Sequence, residues 1–149
     1  MTEHTLIWFR NDLRIEDNPA LAAAARAGKP AIPLFVHAPE EEGEWAPGAA
    51  SDWWLHHALA DLRDALGRIG LPLVIRRGPT LATLQEIITA FNVSGVFWNR
   101  RYEPMAVERD AGIAEAMAAL GVQVRSYNAS LLFEPDTVKN RSGLPFRVF

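Results

Sequence analysis

Residues 5–21 read TLIWFRNDLRIEDNPAL, and this stretch decides the fold. Thr5 leads into the apolar run Leu6-Ile7-Trp8-Phe9, which stops at Arg10. A short continuous apolar run bounded by polar residues is the pattern of a strand buried on both faces. Asn18-Pro19 then starts a helix: asparagine is a favoured N-cap, and proline at the first helical position gives up no needed N–H. Between them lies the charged loop 10–17. In open α/β sheets, ligands sit outside the carboxyl ends of strands. The loop is therefore either part of a site or a bracing knot, in which Asp12, Arg14 and Asp17 pair with one another and with backbone. Arg10 and Asn11, nearest the strand end, are the stronger site candidates.

Outward from this stretch the same alternation continues. A helix over 19–27 ends at Gly28, a suitable C-cap, and 31–36 is a second apolar strand. His37-Ala38-Pro39 and the acidic run Glu40-Glu41-Glu42-Gly43-Glu44 open a connection that reaches Ala50. It is the longest in the α/β part, and long connections are often functional, although an acidic run is also simply well solvated. Ser51 is the N-cap expected for the next helix. Leu55, Leu59, Leu62, Leu66 and Ile69 recur at spacings of four and three, one apolar stripe facing a sheet. Trp53 and Trp54 fall in its first turn. Trp54 cannot share the centre of the stripe with Leu55, so these indoles serve either domain packing or ring stacking.

Strand three is expected over 71–75, ending in Arg76-Arg77-Gly78. A helix from Pro79 carries Leu81, Leu84, Ile87, Ile88 and Phe91. Strand four starts at Val93 or Gly95, runs to Trp98, and ends in Asn99-Arg100-Arg101-Tyr102-Glu103. Helix four runs from Pro104 to about Gly121, and strand five covers 122–125. Strands alternating with helices of this length give a parallel sheet with right-handed crossovers. The expected fold is α/β: a Rossmann-like, doubly wound, five-stranded parallel sheet of order 3-2-1-4-5, with helices on both faces.

Composition narrows the function classes. The 149 residues suit one domain, and 49% hydrophobic content is ample for a core. A net charge of −3 gives no global attraction to nucleic acid or acidic membranes. With no cysteine there is no thiolate chemistry and no disulfide framework, which suits a reducing cytoplasm. No run approaches the roughly 18 apolar residues of a membrane span. From Tyr127 the pattern turns irregular. Phe146, Val148 and Phe149 form an apolar ending, expected to be exposed or packed on a neighbour, as in a chain cut at a domain linker.

The usual nucleotide signatures, G-x-G-x-x-G after strand one and G-x-x-x-x-G-K-[ST], are missing. His4, His37, His56 and His57 have no zinc-ligand spacing, and no metal is expected. One constellation stands out. Arg10, Arg76, Arg77, Arg100 and Arg101 all fall at carboxyl ends of strands, with Asn99 and Tyr102 beside them. A pocket at the switch point between strands one and four would be lined by Arg10, Asn11, His37, Asn99, Arg100 and the two tryptophans. Aromatic faces beside guanidinium groups suit a flat, anionic, conjugated ligand. The alternative is that these arginines cap carbonyls along the sheet rim. No paired acid and base or activated nucleophile appears, so the residues describe a binding domain.

WFRNDLRIEDNPAL resembles the opening motif of the DNA photolyase and cryptochrome family. So do Ser51-Asp52-Trp53-Trp54-Leu55-His56-His57, the run from Val96 through Asn99-Arg100-Arg101-Tyr102-Glu103-Pro104, and segments 128–135 and 143–149. The resemblance implies that 1–127 form an α/β domain holding a light-harvesting antenna chromophore. It implies that 128–149 begin the linker to a helical domain, absent from this sequence, which binds FAD and damaged DNA. The full-length protein would be a deoxyribodipyrimidine photo-lyase, in which reduced flavin passes an electron to a pyrimidine dimer and splits it. No catalytic residue is expected in these 149 residues. Deazaflavin-binding members tend to carry arginine at the position of Ser51 and aspartate at that of Arg101. The best-known folate-binding members carry Asn-Glu where Met105-Ala106 stand, and both patterns are missing here. The double tryptophan and NRRYEP look most like class III CPD photolyases. They imply methenyltetrahydrofolate near Trp53 or Trp54, with Arg10, Asn11, His37, Asn99, Arg100, Tyr102 and Glu103 as the surrounding candidates. Two other readings are a cryptochrome photoreceptor domain and a stand-alone nucleotide-binding module of universal-stress type. The latter would need a glycine-rich phosphate loop late in the chain.

Overall fold

The computed structural model describes residues 2–146. Along the chain come β1 (His4–Phe9), α1 (Pro19–Arg26), β2 (Ala31–His37), a 3-10 segment (Pro39–Trp45) and α2 (Ala49–Arg68). They are followed by β3 (Val74–Arg77), α3 (Thr80–Ala90), β4 (Val93–Asn99), α4 (Pro104–Ala119) and β5 (Gln123–Tyr127). All strands are parallel, in the order β3-β2-β1-β4-β5, as the alternation predicts.

Strand periodicity splits β1 between two cores. Leu6 and Trp8 join Leu34, Leu84, Ile87, Val96, Trp98, Ile113 and Met117 on the α3/α4 face. Ile7 and Phe9 join Ala20, Ala24, Leu62, Leu66 and Phe97 on the α1/α2 face. A strand covered on both sides has no polar face, which is why it reads as an unbroken apolar run. α1 begins as its sequence predicts: the Asn18 side chain accepts from Leu21 N at 3.1 Å, and Gly28 beyond its end takes φ +67.

Several boundaries differ from expectation. α2 is capped at Gly48, and Ser51 lies inside the helix. Only Leu62 and Leu66 of its stripe are buried. The first turns of α2 lie at the carboxyl rim of the sheet, where Leu55 and Leu59 line clefts instead of core, and Ile69 is 55% exposed past the last turn. β3 starts three residues later than expected. Its register with β2 runs from Leu34↔Val74 to His37↔Arg77, while Leu71 and Leu73 pack from the preceding connection onto the α1/α2 core. β3 is the outer strand on its side, with Ile75, Arg76 and Arg77 exposed. β5 extends to Tyr127, whose ring stacks on Phe97 at 6.5 Å. Phe146 is exposed; Val148 and Phe149 lie outside the described residues. Among the described residues no helix is long and apolar enough to cross a membrane, and no cluster of His, Cys, Asp or Glu could hold a metal.

Candidate functional site

The site is built where β1 and β4 end. Arg10 follows β1 and is buried. One guanidinium nitrogen donates to Asp110 on α4 and another to the Asn99 carbonyl, while the group lies 4.4 Å over the Trp8 ring. Burial pulls the Arg10 guanidinium below its ordinary pKa, and the Asp110 charge opposes that shift. Asn99, the last residue of β4, is also buried. Its amide donates to Asp12 at 2.6 Å and Asn18 at 2.8 Å, and its oxygen accepts from Ala20 N at 3.1 Å. Asp12 in turn accepts from Arg10 N at 2.8 Å.

The bracing knot therefore exists, and it holds more members than the sequence suggests. Asp12 pairs with Asn99, whereas Arg14 donates to the carbonyls of Glu16, Asp17 and Ala129. Arg10 and Asn99, read as ligand contacts, direct these groups inward. A buried guanidinium needs a carboxylate partner, and the partner is Asp110, which the α4 sequence alone did not single out.

Two clefts flank this knot. The first, about 470 Å³, lies between the loops after β1 and β4 and is lined by Asn11, Asp12, Arg14, Arg100, Tyr102 and Glu103, with Ala129 and Ser130 at its edge. The second, about 390 Å³, lies over the ends of β1 and β2. Trp8, Phe35, Trp54 and Leu55 give it apolar walls, and Asn11, His37, Arg101 and Arg109 add polar groups. The expected single pocket is thus divided. Arg10, Asn11 and Arg101 border both clefts. His37 and Trp54 fall in the second, while Asn99, Arg100, Tyr102 and Glu103 fall in the first. Trp53 lines neither; it points away and packs on His57 at 4.4 Å.

Arg100 is held by Ser126 and Glu134, and Tyr102 donates to Glu134 at 2.9 Å. These two residues therefore fasten the segment after β5 to the rim. The acidic run is not simply solvated. Glu41 accepts from Thr80 N at 2.7 Å and Thr80 Oγ1 at 2.6 Å, capping α3 from outside its own sequence. Glu42 takes a bidentate bond from Arg101, at 2.7 and 3.0 Å, and another from Arg109 at 3.1 Å. Arg109 escaped sequence reading because it sits mid-helix between Glu108 and Asp110; only its being the one basic residue of α4 marks it.

Hydrogen bonds from Arg101, with its charge and Arg109 adding to them, hold the Glu42 carboxyl below its usual pKa. A depressed carboxylate stabilises the fastening at pH values above that of a free carboxyl, and the contribution is lost as pH falls through the lowered value. Amide exchange of residues 39–46 should therefore be pH-independent near neutrality, after correction for intrinsic rates. It should accelerate in acid, with the acid step missing in Glu42→Gln. An acid step of equal size in Glu42→Gln would assign it to another group.

The chain is thus a doubly wound α/β domain with clefts along its carboxyl rim, the place where such sheets seat ligands. A family model described as DNA photolyase matches residues 5–149, and the chain belongs to that family. Cryptochrome-1 of Arabidopsis thaliana is 46% identical over 146 residues, 97% of this chain and 21% of that protein. A deoxyribodipyrimidine photo-lyase of Agrobacterium fabrum is 38% identical over 148 residues, 99% of this chain and 30% of that protein. The crystal structure of a bacterial class III photolyase from Agrobacterium tumefaciens matches with a TM-score of 0.91 at 38% identity, covering 99% of this chain and 30% of that one. The chain spans less than a third of each of these relatives. Family membership decides against the universal-stress-type module.

Proposed function

We propose that residues 1–127 are the light-harvesting domain of an FAD-dependent deoxyribodipyrimidine photo-lyase that repairs cyclobutane pyrimidine dimers. Residues 128–149 then open the linker to a helical domain that carries FAD and meets damaged DNA in the cytoplasm. The observation that carries this reading is the match to a class III photolyase at TM-score 0.91 and 38% identity over nearly the whole chain. Excitation with near-ultraviolet light of the complete protein bound to dimer-containing DNA should restore intact pyrimidines. A complete protein that binds FAD and repairs nothing would support the second reading, a cryptochrome, which the 46% identity to Cryptochrome-1 favours.

The antenna assigned to this domain is methenyltetrahydrofolate, in the β1–β2 cleft. The residues present fit such a group: apolar walls from Trp8, Phe35 and Trp54 suit a pterin ring, and Asn11 and His37 offer polar contacts. Arg101 is committed to Glu42 and Glu103, so it holds the cleft's rim and is not a free cation there. When bound, the folate supplies near-ultraviolet absorption for transfer to the flavin; the domain's own residues bind it, orient it and exclude water.

Trp54 borders the cleft and Trp53 does not, which separates two residues that sequence left equivalent. In a folate titration of the complete protein, Trp54→Ala should weaken binding about 2- to 10-fold, the loss of an offset stack. Trp53→Ala should bind as the parent does. Equal affinities in all three proteins would move the antenna out of this cleft.

A further inference from the structure

The strand ends carry one pair of arginines that the knot at β1 and β4 does not use. Arg10, Arg100 and Arg101 are each committed to a carboxylate, of Asp110, Glu134 and Glu42 respectively. Arg77, at the end of β3, has only Glu40 at 3.8 Å, and the two side chains are 75% and 72% exposed. A pair so long and so wet contributes little. Arg76 has no carboxylate within ion-pair distance among the described residues.

Both arginines border a third cleft, a groove of about 530 Å³ between α2 and β3. Leu55 and Leu59 give it an apolar wall from the helix, and Ile75 gives one from the strand. Register sets Ile75 beside Phe35 and Arg77 beside His37, while Arg76 sits beside Val36 on the α3/α4 face. Arg77 therefore shares the α2 side with Ile75, and Arg76 borders the groove from the open margin of β3. Asp52 is the one carboxylate on the groove's lining. His37 and Leu55 line both this groove and the β1–β2 cleft, so the two adjoin. Apolar walls that end in cations fit a chain with an apolar base and a carboxylate-bearing end. A folate has that build: behind its pterin come a benzoyl ring and γ-linked glutamates, each with a free α-carboxylate. A guanidinium in a loose, wet pair gives up little when it takes a bidentate bond from an arriving carboxylate.

We propose that the α2–β3 groove is a second binding site, which takes the γ-glutamyl tail of the ligand whose ring occupies the β1–β2 cleft. Arg77 is its principal anion contact and Arg76 the secondary one. Glu40 and Asp52 are the acids that the tail displaces or meets. This rests on the reading of the β1–β2 cleft as the antenna site.

The test titrates the complete protein with methenyltetrahydrofolate as its mono- and tri-γ-glutamyl forms, and with 6-methylpterin as the probe without a tail. The triglutamate should bind the parent about 2- to 10-fold tighter than the monoglutamate, the range of one or two exposed ion pairs. That advantage should shrink between roughly 0.05 and 0.5 M salt. Arg77→Gln should remove most of it and Arg76→Gln a smaller part, with 6-methylpterin binding unchanged in both. Glu40→Gln and Asp52→Asn should enlarge it, a gain that damage to the fold would not produce. Equal affinity of the two folates for the parent overturns the groove and leaves the cleft standing. A triglutamate advantage that survives in the Arg76→Gln/Arg77→Gln double variant overturns the groove as well. Free tri-γ-glutamate that binds as tightly alone as on the folate makes the groove a site for a separate polycarboxylate, and overturns the tail assignment. A parent that takes up none of the probes overturns both readings. Both arginines are exposed, so their replacement leaves the fold intact, and far-ultraviolet circular dichroism of the variants verifies this.

Discussion

Asp110→Ala lowers the free energy of unfolding by about 3–5 kcal/mol, the cost of leaving a buried charge without its partner. Arg10 is buried on all sides by Trp8, Asn99 and α4, and Asp110 is the one carboxylate its guanidinium pairs with among the described residues. Water cannot replace that carboxylate without opening the packing between β1 and α4. The ion pair itself adds little net stability, since desolvation offsets most of the attraction. Replacing both residues by apolar ones of similar size, Arg10→Met with Asp110→Leu, should therefore recover most of the loss. The two results separate an unpaired charge from a lost contact. Urea unfolding followed by near-ultraviolet circular dichroism, which sees Trp8 and Trp98, gives both numbers. If Asp110→Ala costs under 1 kcal/mol, Arg10 has found another partner and the knot is not what holds the rim.

Asn99→Ala is the second large effect, roughly 2–4 kcal/mol. One side chain satisfies three groups: the Asp12 carboxylate, the Asn18 oxygen and the Ala20 N–H. Asn18 also caps α1, so the substitution loosens both the loop 10–17 and the start of the helix. The same urea series measures the loss. Amide exchange supplies the distinguishing detail: Ala20 and Leu21 should lose protection by more than the α3 amides do. Uniform loss across the domain would mean that Asn99 contributes only to global stability, with no local hold on α1. Asn99→Asp should be nearly as damaging, because a carboxylate cannot donate to Asp12 and repels it.

The strand order was legible because the central strands β1, β2 and β4 are covered on both faces and each helix returns the chain to the same rim. Apolar runs and helical spacings carry that information locally. The rim itself was half legible. Arg10 and Asn99 stood out by position, but whether a polar side chain at a strand end faces inward depends on what α4 brings opposite it. Asp110 is one acidic residue on a helix, and nothing local marks it as buried. Glu41 and Glu42 were unreadable for the same reason, since their partners lie 39 and 59 residues away. Trp53 and Trp54 differ by one position, or about 100° around the helix. Only the tilt of α2 against the sheet decides which indole meets the cleft. Ser51 was a good cap signal overruled by Gly48, because the turn from the 3-10 segment enters the helix earlier.

One margin of the sheet raises a different matter, that of how the molecule treats its own copies. β3 is four residues long and open along one side. Unpaired backbone groups on an outer strand can recruit a strand from another molecule and extend the sheet. Here that margin carries two adjacent, exposed arginines, Arg76 and Arg77, one on each face of the sheet. Two such margins brought together place like charges face to face. Charge on a short outer strand disfavours pairing with a second copy, so two of the arginines whose position first suggested ligand binding also bear on how the sheet ends.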